Sequence, residues 1–191
     1  SIKFCENSKL ETIEDNAFYN SKLKSLTLPS NVIGFDKYWC SHLKFLNEVK
    51  VSKNENEFIT FDGDFLYGKS DTKSDNFDVI LFARRNIRCA VIPSHVKRIA
   101  PLAFNLCHSL VSVDFHDDSK LEIIDDKSFS ESSIRSLAVP PRVKKFGNDA
   151  LSCCLELKII QISAKSEFDI IDIKIFGETS VEIIMIPHNS G

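Results

Sequence analysis

Residues Ser8 to Phe18 read "SKLETIEDNAF", and residues Ser119 to Phe129 read "SKLEIIDDKSF", an offset of 111 residues. The similarity continues without a gap, because "LKSLTLPSNV" from Leu23 aligns with "IRSLAVPPRV" from Ile134 at the same offset. Self-similarity at a fixed distance is the sequence signature of a repeat protein. The fold is therefore expected to consist of stacked copies of one short unit.

A shorter period lies inside this long one. Strand-like segments begin near residues 23, 46, 87, 110, 134, 157 and 181, so the spacings are 23, 41, 23, 24, 23 and 24 residues. Alternate residues of each strand are apolar and point inward, but one strand cannot bury its apolar side alone, so stacking is required. Two inward ladders follow: Phe18, Cys40, Phe104, Phe129, Leu151 and Phe176; and Leu26, Val49, Ala90, Val113, Leu137, Ile160 and Ile184.

The predicted fold class is α/β, a single solenoid over residues 1–191 with a parallel sheet of short strands. The other side is expected to hold turns and short helical turns, because "IAPLAFNLCHS" (99–109) has a small-then-aromatic pair and a long helix would not fit in such a unit. Residues 2–4 indicate the end of an earlier, partial repeat. Since both ends look uncapped, the sequence is interpreted as a fragment of a longer chain.

The spacing of 41 residues is one ordinary repeat with about 18 additional residues, which include "GDFLYGKS" at 63–70. This octamer fits the phosphate-loop pattern, which needs small residues around a phosphate and a helix that starts at its Lys. Here residues 65–67 are bulky strand formers, and "SDTKSDNFD" after Lys69 has no helical pattern. We therefore expect an inserted hairpin at about 58–82 and no cofactor.

The repeats resemble a known family. "IPSHVKRIAPLAFNLCHSL" (92–110) and "LPSNV" (28–32) are similar to the BspA-like leucine-rich repeats, whose pattern is I-P-x-x-V-x-x-I-x-x-x-A-F-x-x-C-x-x-L. The segment "FDGDFLYGKSDTKSDNFDVILF" (61–82) resembles a hairpin that is common in that family. Two departures stand out: Trp39-Cys40 replaces Ala-Phe, which predicts a distorted turn, and "KSEFDIIDIKIFGETS" (165–180) lacks the signature.

The resemblance also has implications for location and function. BspA-like proteins are typically surface or secreted molecules of mucosal bacteria and protist parasites, with proposed roles in adhesion. It thus implies an extracellular or cell-surface location and an adhesin-like function. The expected partner is a host or matrix protein or an acidic glycan, with the chain a monomer or weak oligomer.

Composition and motifs make other functions improbable. The 24 basic and 27 acidic residues give a net charge of −3, which argues against nucleic-acid binding. No apolar run approaches the ~20 residues that span a bilayer, so no membrane contact is expected.

Since the sequence contains neither a GxSxG nor an HExxH motif, and His116 with its neighbouring aspartates is interpreted as a solvated turn, we expect no catalysis. The six cysteines form no CxxC pair and are interpreted as buried free thiols rather than metal ligands.

Outward strand positions are the best candidates for binding a partner. The second position of successive strands is occupied by Lys24, Asn47, Arg88, Val111, Arg135, Lys158 and Glu182, and the fifth by Lys3, Thr27, Lys50, Val91, Asp114, Ala138, Gln161 and Met185. The predicted partner-binding residues are Lys24, Thr27, Lys50, Arg88, Asp114, Arg135, Lys158 and Gln161. The basic column could equally serve solubility by deterring edge pairing, in which case the repeats would be a structural spacer that displays another domain.

Overall fold

The computed structural model describes residues 1–5, 8–52, 58–163, 165–166 and 173–185. Its strands, in chain order, are β1 (Ile2–Lys3), β2 (Thr12–Ile13), β3 (Ser25–Leu28), β4 (Gly34–Phe35), β5 (Glu48–Val51), β6 (Thr60–Phe61), β7 (Phe65–Gly68), β8 (Val79–Ala83), β9 (Cys89–Ile92), β10 (Arg98–Ile99), β11 (Ser112–Phe115), β12 (Ile123–Ile124), β13 (Ser136–Val139), β14 (Lys145–Phe146), β15 (Ile159–Ile162) and β16 (Ile183–Met185). Together they form a solenoid of about seven turns with parallel strands.

One side of the solenoid carries the longer strand of each repeat, and we call it the strand face. Its strands pair in parallel as β1-β3-β5, β9-β11 and β13-β15-β16. Each begins with the third residue of its repeat, because the first residue, such as Leu23 or Leu110, is a buried corner side chain. The strands therefore start two residues later than the periodicity alone indicates.

A second sheet runs along an adjacent side, and the inserted hairpin interrupts it. Strands β14, β12, β10 and β8 pair in parallel, whereas β7 pairs antiparallel with β8 and β6 with β7. The earlier strands β2 and β4 form a separate pair. Since β7 takes the edge of β8 that β4 would have joined, the sheet is broken between the repeats before residue 52 and those after residue 87. We call this junction the seam.

The hairpin lies between two hydrophobic cores. All four residues of β7 are buried, with Phe65 and Tyr67 in the core of the later repeats and Leu66 in the core of the earlier ones. Most residues of the ladders that the repeat predicts lie inside the two cores, where Phe104 stacks on Phe129 at a ring-centroid distance of 4.8 Å, whereas Phe18 and Phe176 are only partly buried. Ile184 differs, since it is 43% exposed in the last described strand, where no described repeat packs on its far side.

The predicted short helical turns are wrong. Among the described residues, the only helix is a 3₁₀ segment at Ile173–Ile175, and the A-F motifs lie in runs of overlapping turns instead. In most of these runs two residues, four positions apart, have a left-handed backbone, such as Leu102 and Leu106, each with φ of 60°. A positive φ ends a right-handed helix, so each turn reverses before a helix can propagate.

These turns also connect one repeat to the next, because successive amides donate in alternate directions. The N–H groups of Ala103, Asn105 and Cys107 donate to carbonyls within their own turn. Those of Leu102, Phe104 and Leu106 donate instead to carbonyls of Asp126, Ser128 and Ser130 in the following repeat, at 2.7–3.3 Å. The buried backbone is thereby satisfied without a helix.

Candidate binding surface

The predicted fifth-position column is in register within each group of strands. Lys3, Thr27 and Lys50 are successive partners across β1, β3 and β5. Val91 faces Asp114 across β9 and β11, and Ala138 faces Gln161, which in turn faces Met185. These positions therefore form rows across the strand face.

The second-position column lies immediately before the strands and is held by backbone hydrogen bonds. The N–H of Val111 donates to the carbonyl of Arg88 at 2.7 Å, Arg135 to Val111 at 3.3 Å, and Lys158 to Arg135 at 2.9 Å. The earlier pair is linked in the same way, since Asn47 donates to Lys24. Because neighbouring strands are ~4.8 Å apart, the backbones of Arg88 and Arg135 are roughly 10 Å apart.

All eight predicted residues lie on the strand face: Thr27 is half-buried, and Lys24, Lys50, Arg88, Asp114, Arg135, Lys158 and Gln161 are exposed. Two of the cations are neutralised, since Lys50 pairs with Glu48 at 2.8 Å and Lys158 with Glu182 at 2.6 Å. Within the described residues, Lys24, Arg88 and Arg135 have no carboxylate at ion-pair distance. Uncompensated positive charge on the predicted residues thus lies at Lys24 in the earlier repeats and at Arg88 and Arg135 in the later ones.

The reading of the cysteines as buried thiols is correct for only three of them. Cys40, Cys107 and Cys154 are buried, but Cys5 and Cys89 are exposed and Cys153 is intermediate. Cys89 and Val91, which is 53% exposed, occupy outward positions of β9 beside Arg88. The alternation in "CAVI" could have shown this, because Ala90 and Ile92 are the inward residues of the same strand.

The structure gives "GDFLYGKS" the conformation of a hairpin rather than that of a phosphate loop. Asp62 closes the turn, its Oδ1 accepting the N–H groups of Asp64 and Phe65 at 2.9 and 2.8 Å. Gly68 is part of β7 and faces Val79. At the end of the octamer, the N–H and the Oγ of Ser70 both donate to the buried carboxylate of Asp78, at 2.8 and 2.7 Å. The N–H groups of Asp64, Phe65 and Ser70 therefore donate to carboxylates of the protein itself and are not free to bind a phosphate.

Other kinds of site have little support in the described part of the chain. No three His, Cys, Asp or Glu side chains there are placed to hold a metal ion. Asp114, His116, Asp117 and Asp118 are exposed in and after β11. A search of the described residues for an apolar helix that could cross a membrane finds none.

Two clefts open at the seam, where the ladders of adjacent repeats are interrupted. One, of about 400 Å³, lies beside the second sheet, between residues 35–39 and the hairpin. The other, of about 320 Å³, lies on the turn side between the turns that contain His42 and Asn105. Sequence reasoning missed both, since they depend on how the insertion displaces neighbouring repeats.

A buried arginine fills the position of the turn that the inserted repeat lacks. Arg85 is 3% exposed, and its guanidinium donates to the carbonyls of Leu43, Ala83, Leu102 and Ala103 at 2.8–3.3 Å. It also lies 4.2 Å from the ring centroid of Phe82. Burial raises the pKa of the neighbouring Cys40 and Cys107 thiols, although Arg85 opposes that shift. Arg85 therefore bridges the earlier and the later repeats.

The sequence model of the BspA-type leucine-rich repeat region matches residues 1–68 and 76–190, in six copies. The chain belongs to this family. The recognition made from the repeat motifs is thereby confirmed, whereas no curated protein sequence matches.

Several solved structures have a similar fold. A leucine-rich repeat protein of Eubacterium ventriosum has a TM-score of 0.69 at 21% identity, over 83% of this chain and 40% of its own. The pneumococcal vaccine antigen PcpA has a TM-score of 0.67 at 23% identity, over 96% of this chain and 50% of its own. A leucine-rich cell surface protein of Faecalibacterium prausnitzii has a TM-score of 0.60 at 17% identity, over 90% and 52%. The chain thus spans about half the length of these proteins or less.

The departures from the BspA-type pattern can now be placed. The turn with Trp39-Cys40 keeps the internal hydrogen bonds of the other turns, because Trp39, Ser41 and Leu43 donate to Asp36, Tyr38 and Cys40, but it has one left-handed residue, His42, where the other turns have two. The indole of Trp39 lies 6.5 Å from the ring of Phe18 and 5.7 Å from that of Phe82, and so it fills the core at the seam. In the irregular last repeat, residues 167–172 lie outside the described part of the chain.

Proposed function

We propose that these repeats form a non-enzymatic binding module of a surface protein, and that the strand face binds an acidic protein or an acidic glycan. The general role is supported by the family, which is one of leucine-rich repeats, and by a structurally similar protein that is described as a cell surface protein. A cell-surface location is part of the same proposal. Its supports are one structural neighbour described as a cell surface protein and another described as a vaccine antigen.

The observation that carries the proposal is the uncompensated charge at Arg88 and Arg135. Both guanidinium groups are exposed on one face, on backbones about 10 Å apart by strand spacing. In the row beside them, Val91, Ala138 and Gln161 are uncharged, and Asp114 of β11 is the one carboxylate. An anionic chain laid across the strands would meet both arginines without displacing an existing carboxylate partner, and planar guanidinium groups suit carboxylate and sulfate oxygens.

The test is binding of the chain to matrix proteins and sulfated glycans over a salt series. We expect Arg88→Glu/Arg135→Glu to abolish binding and the wild-type affinity to fall steeply as salt rises, because exposed charge pairs are screened within ~10 Å at 0.1 M salt. The charge-matched control is Lys73→Glu/Lys120→Glu, since both lysines are exposed and lie outside the two columns. All three proteins must first show the same melting temperature.

Binding that persists in the Arg88→Glu/Arg135→Glu protein would locate the contact elsewhere and would contradict the proposal. The absence of binding by the wild-type chain to every acidic ligand would favour the alternative, a structural spacer. The spacer alternative is supported by the ion pairs of Lys50 with Glu48 and of Lys158 with Glu182, because such pairs suit a solvated face that binds no partner.

A further inference from the structure

The cleft of about 400 Å³ at the seam has the size of a small-molecule site, for which roughly 300–1,000 Å³ is typical. It exists because β7 occupies the edge of β8 that β4 would have joined. One wall comes from the earlier repeats, with Phe35 and Trp39, and the other from the hairpin and β10, with Lys69, Ser70 and Arg98. The floor is apolar, formed by Val79, Leu81, Ala100 and Pro101.

Two cationic groups in this cleft retain hydrogen-bond donors. The ammonium of Lys69 lies 5.0 Å from the ring centroid of Phe77, and within the described residues it has no carboxylate at ion-pair distance. Arg98 donates from Nε to Asp125 at 2.5 Å, and this bond does not use its two terminal NH₂ groups. A guanidinium fork and an ammonium together suit one planar carboxylate.

The third cation of the cleft, Lys37, is paired with a carboxylate, as Arg98 is. Lys37 is paired with Asp126 at 2.5 Å, and this hydrogen bond raises the pKa of Lys37. It is therefore less available to a ligand than Lys69. Among the described residues of the cleft, Lys69 is thus the cation without a carboxylate partner, and it lies at the end formed by the hairpin and β10.

The opposite end of the cleft suits hydroxyl groups. The carboxylate of Asp36 accepts the N–H of Asp15 through Oδ2 at 3.3 Å, and its Oδ1 can accept from a ligand. The ring of Phe35 beside it packs on Trp39 at 4.7 Å and offers a flat apolar surface. A ligand with a carboxylate at one end, hydroxyl donors at the other and an apolar ring face matches this arrangement, whereas a purely apolar acid would make no hydrogen bond to Asp36.

We propose that the seam cleft binds an acidic sugar, a ring of hexuronic-acid type whose carboxylate lies between Lys69 and Arg98 and whose hydroxyl groups bond to Asp36. The ligand class follows from the lining of this cleft, and the site is separate from the strand face. The two proposals can therefore succeed or fail independently.

Trp39 makes this proposal directly measurable, because it is the only tryptophan in the chain and it borders the cleft. The experiment is a titration of the chain with glucuronate, followed through the fluorescence of Trp39. Glucose, acetate and sulfate are titrated in parallel as the neutral sugar and the two simple anions. We expect a saturable change with glucuronate and a response at least tenfold weaker with each of the other three.

Variants then assign the contact to its residues. Lys69→Gln and Arg98→Lys should each weaken glucuronate binding about tenfold, the second because a lysine keeps the pair with Asp125 but loses the fork. Lys73→Gln is the matched control, since Lys73 is exposed in the connection between β7 and β8, which also contains Lys69, and does not line the cleft. Arg88→Glu/Arg135→Glu should titrate like the wild type. Each variant is first shown to melt like the wild type.

Several results would overturn the proposal. They are no fluorescence change at millimolar glucuronate, a response to glucose equal to that for glucuronate, or an unchanged titration of the Lys69→Gln protein. An equal response to acetate or sulfate would also refute it, because the cleft would then recognise a simple anion rather than a sugar.

Discussion

At the scale of single residues, the aromatic ladder bears most directly on stability. Phe104 is fully buried, stacked on Phe129 and 5.8 Å from the ring of Phe65. It therefore touches both a neighbouring repeat and the hairpin. A side chain in this position holds three parts of the chain together.

Phe104→Ala is expected to lower the free energy of unfolding by ~3–5 kcal/mol, because it leaves a cavity between repeats. The measurement is chemical denaturation followed by circular dichroism. Phe45→Ala is the control, since Phe45 is 39% exposed and should cost well under half as much. A loss below ~1 kcal/mol for Phe104→Ala would show that the ladder does not carry the core.

Asp78 gives the stability a defined pH dependence. Burial alone would raise the pKa of this carboxyl, but hydrogen bonds from Ser70 and the pair with Lys97 outweigh burial and lower it. A lowered folded-state pKa means that the carboxylate contributes stability above its unfolded-state pKa, and that this contribution disappears as pH falls through the folded-state pKa.

The wild type is therefore expected to be more stable than Asp78→Asn at neutral pH, with the difference shrinking below about pH 4. Thermal unfolding from pH 7 to pH 2 measures this. Asp75→Asn, an exposed carboxylate in the same connection, is the control and should follow the wild type at every pH. Parallel curves for the wild type and Asp78→Asn would contradict the assignment.

At the scale of elements, the turns show where sequence reasoning succeeded and where it could not. The register of both outward columns was predictable, because an offset of 111 residues leaves only one way to stack equivalent positions. The backbone of the turns was not, since residues such as Leu102 and Leu106 have a left-handed φ although no glycine or asparagine marks them. Their conformation is imposed by hydrogen bonds to the next repeat, which no local pattern records.

This origin of the turn geometry can be tested at Glu131, which is exposed and has a φ of 58°. Glu131→Asn should leave the stability within about 0.5 kcal/mol, because asparagine tolerates a left-handed backbone. Glu131→Val should cost about 1–2 kcal/mol, because a β-branched side chain does not. Urea denaturation of the two variants provides the comparison, and equal stabilities would mean that this backbone is not strained.

At the scale of the whole molecule, the inserted hairpin divides one solenoid into two cores. The hairpin itself was predictable from the spacing of 41 residues and from the turn at Asp62-Gly63. Its consequences were not: Arg85 reads as part of a polar "ARRN" loop, yet it is buried because the loop replaces a turn. The clefts at the seam have the same tertiary origin.

Arg85 is expected to couple the two cores. Arg85→Ala should cost about 3–5 kcal/mol, since it removes the guanidinium hydrogen bonds to four buried carbonyls and the packing on Phe82. Arg85→Met should cost less, because it restores the volume but not the hydrogen bonds. Hydrogen exchange should show residues before 52 opening separately from those after 87 in the alanine variant, whereas a single cooperative opening would refute the coupling.

The alternation of amides in the turns has a consequence for how such a chain can change length. The N–H groups of a turn donate alternately to their own turn and to the next repeat, and we call this alternation the parity of the turn. An odd number of residues added inside a turn would reverse it, so that N–H groups that donate to the next repeat would point into their own turn. Additions between the strand and the turn leave that parity intact. The hairpin of the longest repeat lies after β5, in a repeat that lacks such a turn, so it leaves the donor directions of the other turns unchanged. Parity thus predicts where segments can be grafted into this solenoid.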